Sequence, residues 1–318
     1  MRFLITGANG FVGKALCAEL ARRDHFVCAA VREVNQPFGN IAIASVGPID
    51  GVTDWTAALS NIDVIIHLAA RVHVMQDRSE EPLEEFRKVN VQGTENLARQ
   101  AADSGVKRFV YVSSIGVNGL QTKFDNSFTE TDTVNPHNAY AISKWEAEQT
   151  LLQICNSTAL EVVVIRPPLV YGANAPGNFA QMIKVISKGI PLPLASVYNR
   201  RSLIYIGNLV DALILCALHP DAAGQTYLVS DCEDISTPEL LLKLGLGMGK
   251  HVRLFSFPNA LLKIAARLIG KTEELDRLLG SLKIDSKKIR NQLNWQPPYK
   301  LEDGLNLIGQ AYCKKINI

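Results

Sequence analysis

A doubly wound α/β fold, in which a parallel sheet carries helices on both faces, is predicted by three observations in this 318-residue chain. The first is the stretch MRFLITGANGFVG, where the apolar run Phe3–Ile5 leads into Gly7, Gly10 and Gly13. The second is the alternation of short apolar runs with stretches of helical periodicity as far as Tyr171. The third is the loss of that alternation beyond Tyr171, which predicts a smaller mixed C-terminal lobe.

The glycine stretch reads as buried strand, tight turn and helix, the helix running over Lys14–Arg22. That geometry sets backbone N–H groups and a helix N-terminus against a pyrophosphate, so a dinucleotide site is expected here. Phe26–Val31 reads as the second strand. An acidic residue commonly stands at its end to hold the ribose 2′-OH, but this chain has Val31-Arg32-Glu33. Arg32 suits a 2′-phosphate and so points to NADP(H). The alternative is a solvated arginine, with Glu33 in the acidic role. Phe38–Val52 is less regular, and Asp50 precedes a short helix over Asp54–Leu59. Asn61–Ala70 reads as a strand ending in small residues, which let a cofactor cross the sheet edge. Its His67 has no second metal-type residue nearby and is expected to pack within the strand; no metal site is expected.

A long helix over Glu85–Ala102, a strand over Arg108–Ser114, a polar loop and a helix over Ala139–Gln153 follow. Glu161–Tyr171 is one strand-like run stopped by Pro167–Pro168. Strands are then expected at Leu203–Ile206 and Thr226–Val229, with helices at Phe179–Ser187, Asn208–Leu218, Pro238–Met248, Asn259–Leu268 and Ser286–Leu293. Residues 1–170 are expected to bind the dinucleotide, with 203–230 returning to that sheet, while 171–202 and 231–318 form a substrate lobe.

The composition, 47% apolar and 20% charged with net charge +2, is that of a globular chain. By itself it implies neither a nucleic-acid nor a membrane-surface role. The six cysteines lack C-x-x-C spacing and read as free thiols of a reducing compartment. With no cleavage pattern at the start, and with Asn208 and Asp211 interrupting the most apolar stretch, a cytoplasmic protein without membrane insertion is expected.

Tyr140 and Lys144 stand four apart on one helix, so their side chains rise from the same face. Ser113 and Ser114 end the preceding strand at the sheet's carboxyl edge, where open α/β folds bind ligands. The set suits proton transfer coupled to hydride transfer. A phenol titrates near 10, and an ammonium with a nicotinamide charge beside it favours the phenolate. Lowering it by about three units needs roughly 4 kcal/mol. The same spacing also occurs on ordinary amphipathic surface helices, so the strand-end serines and the glycine turn carry the argument.

Taken together, Thr6–Gly13 (TGANGFVG), His67–Ala70 (HLAA), Asn90–Leu97 (NVQGTENL), Ser113–Ser114, Tyr140–Lys144 (YAISK) and Arg166–Gly172 (RPPLVYG) resemble the extended short-chain dehydrogenase/reductase family, in its sugar-nucleotide epimerase/dehydratase branch. The resemblance implies a Rossmann sheet and a catalytic set of Ser114, Tyr140 and Lys144. It implies NADP(H) or NAD(H) held by Gly7, Asn9, Gly10, Phe11, Val12, Gly13, Arg32, Asp50, Leu68, Ala69, Ala70, Asn90, Val112, Tyr140, Lys144 and Pro167. A UDP-sugar would meet Ser114, Asn178, Arg201 and Arg277, the last of which also reads as a surface ion pair. Leu192–Leu194 offers an apolar bed for a uracil ring.

Within the family, His67–Met75, Pro191–Leu194 and Asn199–Leu203 look most like UDP-N-acetyl-quinovosamine dehydrogenases, 4-keto-sugar reductases of lipopolysaccharide and other surface-polysaccharide synthesis. Ser114-Ile115-Gly116 stands where the family's dehydratases carry Thr-Asp-Glu, which disfavours elimination, and Arg32 favours an exchanging cofactor. The expected activity is therefore 4-keto reduction of a UDP-linked N-acetylated hexose. A UDP-hexose 4-epimerase and a non-catalytic NADP sensor are the alternatives. The resemblance also implies a homodimer through a four-helix bundle of the 85–102 and 139–153 helices.

Overall fold

The structure is a computed structural model that describes residues 1–34, 39–72, 81–123, 125–268, 270 and 272–316. His73–Met75 of the motif above, Phe38 and Phe124 lie outside the described residues.

The first half builds strands β1 (Arg2–Thr6), β2 (Phe26–Val31), β3 (Ala42–Ser45), β4 (Val64–His67) and β5 (Arg108–Val112). Between them run α1 (Phe11–Arg22), α2 (Thr56–Leu59), α3 (Pro82–Arg87) and α4 (Gly93–Asp103). The expected 85–102 helix is thus two α-helices joined through a π-helical turn, Lys88–Gln92, the kind of distortion that often marks a functional position. The second half adds α5 (Ala139–Ser157), β6 (Glu161–Arg166), β7 (Leu169–Tyr171), α6 (Asn178–Ser187), β8 (Arg201–Tyr205), α7 (Ile206–Leu218) and β9 (Thr226–Leu228). It ends with β10 (Asp234–Ile235), α8 (Thr237–Gly247), α9 (Asn259–Leu268), α10 (Thr272–Leu279), α11 (Lys287–Leu293) and α12 (Leu301–Ile316).

Seven parallel strands form the main sheet in the order β3-β2-β1-β4-β5-β6-β9. The order reverses between β1 and β4, and the crevice beyond their carboxyl ends is where such sheets bind ligands. Alternate residues face opposite sides. Phe3 and Ile5 pack under α1 and α7 with Leu16, Leu20, Leu209 and Leu213, while Leu4 faces Leu97, Ala101 and Leu151 of α4 and α5. Ile289, Leu293 and Trp295 also join the α1–α7 side, although the sequence reading placed them in the lobe.

Two expectations about strands need correction. The Glu161–Tyr171 run is two strands: the proline pair removes two ladder donors, and β7 leaves for a second sheet. Residues 203–206 were expected in the main sheet, but β8 lies in that second sheet, ordered β10-β8-β7. β8 still bridges the halves, because Leu203 packs in the lobe and Ile204 packs in the main core. Among the described residues, no helix is long and apolar enough to cross a membrane.

Candidate active site

The glycine turn is shaped for a bound group and not for side chains. Gly7 has φ +65°, and a Cβ there would lie 2.9 Å from the Ala69 nitrogen. A Cβ on Gly13 would lie 2.2 Å from the Gly7 carbonyl oxygen, so only glycine allows α1 to start so close to β1. Gly10 caps α1 without any side-chain hydrogen bond, and the first turn carries no acidic residue. Its leading N–H groups therefore suit an anion. Phe11 turns toward Tyr171 and Gly172 of the lobe, Val12 packs into the main core, and Asn9 is exposed at the turn.

The turn is fastened to the β4 end by a directional chain of hydrogen bonds. Thr6 Oγ1 accepts from the Leu68 and Ala69 nitrogens at 3.2 and 3.1 Å, so its own hydrogen goes to His67 Nδ1 at 2.7 Å. The ring proton then sits on Nε2 and is donated to Thr94 Oγ1 at 3.0 Å, whose hydrogen goes to the Asn90 carbonyl at 2.7 Å. Complete burial pushes the imidazole pKa down to about 3 and keeps it neutral. His67 is thus a packed strand residue that holds the two sides of the crevice together.

Asn90 projects from the π-helical turn, and all of its side chain is engaged within the protein. Its Oδ1 accepts from the Arg71 nitrogen at 2.8 Å, and its Nδ2 donates to the Arg71 carbonyl and to Ser143 Oγ at 3.0 and 2.9 Å. Direct cofactor contact was expected of it; here it positions the strand-end segment Leu68–Arg71 against α5. Asp50 is likewise engaged. Its carboxylate accepts from the Val52 nitrogen and Thr53 Oγ1, which hold its pKa below the ordinary carboxylate value. Arg32 is exposed just past β2, and Ala70 and Val112 are half-buried at the strand ends. Pro167 is buried, and its carbonyl accepts from the Ile115 nitrogen at 3.0 Å.

Asn138 caps α5 by accepting from the Ala141 nitrogen at 2.8 Å, which sets Tyr140 in the first turn and Lys144 one turn on. Phe86 meets the Tyr140 ring edge-to-face at 6.2 Å between centroids. Lys144 is buried with Nζ 4.2 Å from the centre of the Tyr111 ring. Ser114 Oγ accepts from the Gly116 nitrogen at 3.1 Å, leaving its hydrogen free to donate toward a ligand oxygen. Its neighbour Ser113 is buried, and its Oγ has no partner among the described residues.

In the polypeptide alone, burial governs both groups. Burial pushes Tyr140 up to about 12. Burial likewise brings Lys144 down to about 7, opposed by the charge of Glu148 one turn further along α5. Glu148 itself is buried in a bidentate pair with Arg166, at 2.9 and 2.5 Å, and Arg166 also donates to Asn118 Oδ1 at 2.9 Å. This pair ties α5, β6 and the turn carrying Ser114 into one body. Sequence reading missed it; the signal was Glu148 sharing a helix face with Lys144.

The substrate candidates lie in the lobe and are less drawn together. Asn178 is exposed at the first residue of α6, after Gly177 with φ +68°. Arg201 donates to the carbonyls of Arg277 and Gly280 at 2.7 and 2.9 Å. Burial, and then the Arg277 charge, bring its pKa down to about 10. Two guanidinium groups therefore share one locality. Leu194 is buried in the lobe core and Leu192 packs against it, so the apolar bed expected for uracil serves that core instead.

The family model for the NAD dependent epimerase/dehydratase family matches residues 3–230. The chain belongs to that family. It is an enzyme of an NAD-dependent class, and the glycine cradle fits that cofactor. The UDP-glucose 4-epimerase of Vibrio cholerae is 43% identical over 317 residues, covering 99% of this chain and 96% of its own. The N-acetyl-alpha-D-glucosaminyl-diphospho-ditrans,octacis-undecaprenol 4-epimerase of Escherichia coli O157:H7 is 26% identical, covering 95% and 92%. The UDP-glucuronic acid 4-epimerase of Bacillus cereus, solved with UDP-glucuronic acid and NAD, superposes with TM-score 0.79 at 20% identity over 99% and 100% of the chains, a likeness of fold.

Proposed function

We propose that this enzyme oxidises and reduces C4 of a UDP-linked hexose, and that its net reaction is 4-epimerisation. The reading is supported by Tyr140 and Lys144 one turn apart on α5 and by Ser114 just past β5, where a Cβ on Gly116 would meet both Ser114 Oγ and Ala141 of α5, at 3.4 and 3.5 Å. The full-length likeness to the Vibrio cholerae 4-epimerase supports the net reaction. A bound nicotinamide would supply the hydride acceptor and donor for C4, and its oxidised form would carry a positive charge. Tyr140 moves the proton of the C4 oxygen, and Ser114 donates a hydrogen bond to that oxygen. Lys144, one turn along α5 and titrating about neutrality, is assigned to favour the phenolate in its protonated form. The charge of the oxidised ring and the Lys144 ammonium would oppose the upward push of burial on the phenol, so that Tyr140 takes the C4-oxygen proton in the oxidation and returns it in the reduction. Arg201 and Arg277 are assigned to the diphosphate, with Asn178 at the α6 start.

Net reduction of a 4-keto UDP-sugar is the second reading, favoured by Arg32 standing exposed at the end of β2. Incubation with UDP-glucose or UDP-N-acetylglucosamine without added cofactor tests the first, with the 4-epimer as expected product. No epimer, together with stoichiometric oxidation of NADPH by UDP-4-keto-6-deoxy-N-acetylglucosamine, establishes the second. No turnover in either assay leaves a binding protein. A homodimer through α4 and α5 is part of the proposal, and a monomer mass by light scattering contradicts it.

A further inference from the structure

Alternation along β5 sends Tyr111 to the side of the sheet where Leu97, Ala147 and Leu151 of α4 and α5 pack, so the core itself asks only for an apolar side chain there. An aromatic ring does more. Tyr111 is fully buried, and Lys144 lies over its ring with Nζ 4.2 Å from the centroid. An ammonium at that distance is attracted by the negative face of the ring, most strongly where water is excluded. The β4–β5 register sets His67 beside Tyr111, with the two rings 19° from parallel and 5.9 Å between centroids. His67 in turn is tied through Thr6 to the glycine turn. Ammonium, phenol ring and imidazole thus adjoin in series from α5 to β4.

We propose that Tyr111 is a positioning residue that seats the Lys144 ammonium on its ring face and favours its charged form. In the reaction proposed above the protonated lysine favours the Tyr140 phenolate, and this role for Tyr111 rests on that reading. The other ionisable groups around Nζ do not replace the ring. Glu148, one turn along α5, favours the ammonium, but its carboxylate is already held by Arg166 of β6 in the bidentate pair. Buried His67 stays neutral and so sets no like charge against Nζ. Tyr140 is the phenol that Lys144 serves. Glu146, paired with Arg87 of α3, stands two residues on and points to another side of the helix. A leucine at position 111 would fill the core and offer Lys144 no negative face.

The test is an NMR titration of the full chain with its lysines isotope-labelled at Cε, the Lys144 signal being identified by its loss in Lys144→Met. Read on the free protein, the Lys144 midpoint depends on no substrate. Tyr111→Leu should lower it by about one pH unit, whereas Tyr111→Phe, which keeps the ring face, should leave it in place. Should the leucine variant not fold, Tyr111→trifluorophenylalanine keeps the shape of the ring and weakens its negative face, and its midpoint should fall below that of Tyr111→Phe. In turnover assays of Tyr111→Leu the alkaline fall of kcat should move to lower pH with the midpoint, because the ammonium is lost sooner as pH rises. A merely structural role would lower kcat alike at every pH. An unmoved midpoint in the leucine or the fluorinated variant overturns the proposal, as does an equal fall in Tyr111→Phe. A midpoint that falls while the kcat profile stays put leaves the Tyr111 seat standing and removes the Lys144 charge from the reaction proposed above.

Discussion

The crevice at the β1–β4 switch point and the lobe around Arg201 are built by opposite means. In the crevice the groups behind the candidate chemistry are tied to one another, as in the Thr6–His67–Thr94 chain and the Asn90 clamp on Arg71. In the lobe, positive groups are brought near each other: Arg201 leans on two carbonyls with Arg277 beside it. The first arrangement fixes geometry before a ligand arrives. The second sets two guanidinium groups in one locality, which under the proposed function is where a diphosphate would bind. Rigid chemistry paired with adaptable recognition is how one scaffold serves many substrates.

The largest effect that would sharpen this comparison is expected at Tyr140. Tyr140→Phe should lower kcat by about a thousandfold with cofactor affinity retained; near-normal turnover would sink the proton-transfer role. Next comes the support behind α5. Arg166→Met strands a buried carboxylate on Glu148 and should cost about 3–5 kcal/mol in urea unfolding, whereas pairing it with Glu148→Leu should recover much of the loss.

In the lobe, Arg201→Met should raise the KM for a UDP-sugar about tenfold with little change in kcat. If stability falls and KM does not move, Arg201 only braces the Arg277 and Gly280 carbonyls, and the contrast between the regions fails.

A smaller, pH-dependent effect belongs to His67. Its folded pKa, about 3, lies below the ordinary value of 6.5, so the unfolded chain binds the extra proton between them. Stability is therefore lost as pH falls from 6.5 toward 3, by about 1 kcal/mol between pH 6.5 and 5.5. His67→Gln should remove that share of the slope, seen in denaturant midpoints across this range. The smallest change is expected at Arg32→Ala, a few-fold loss of NADPH preference over NADH; an unchanged ratio points to Glu33 instead.

The parts of the fold legible in the sequence are those where one force dominates. β2 is apolar throughout and buried after its first residue, as a strand covered on both faces of the sheet requires, and its bounds follow directly. β3 was passed over because Ala42–Ser45 is a short edge strand, half exposed, with no apolar signature to announce it. α12 was overlooked because Gly304 and Gly309 interrupt its pattern. Those glycines are packing requirements, since a Cβ on Gly309 would lie 2.0 Å from the Gly247 carbonyl oxygen. At the site, Tyr140 and Lys144 were readable from helical spacing. Asn90's clamp was not, because its partners Arg71 and Ser143 are distant in sequence, and the π-helical turn that aims it leaves no compositional trace.

Trp295 reaches the core beneath α7, with its indole Nε1 donating to Asp211 Oδ2 at 3.1 Å, and Ile289 and Leu293 arrive with it. The stretch matched by the family model ends at residue 230, so the core of its sheet is completed by three side chains from outside that stretch. A truncation there would strip Ile289, Leu293 and Trp295 from the α1–α7 side of the core. Loss of the Trp295 fluorescence environment would then report global unfolding of the nucleotide-binding half, and not fraying of a tail.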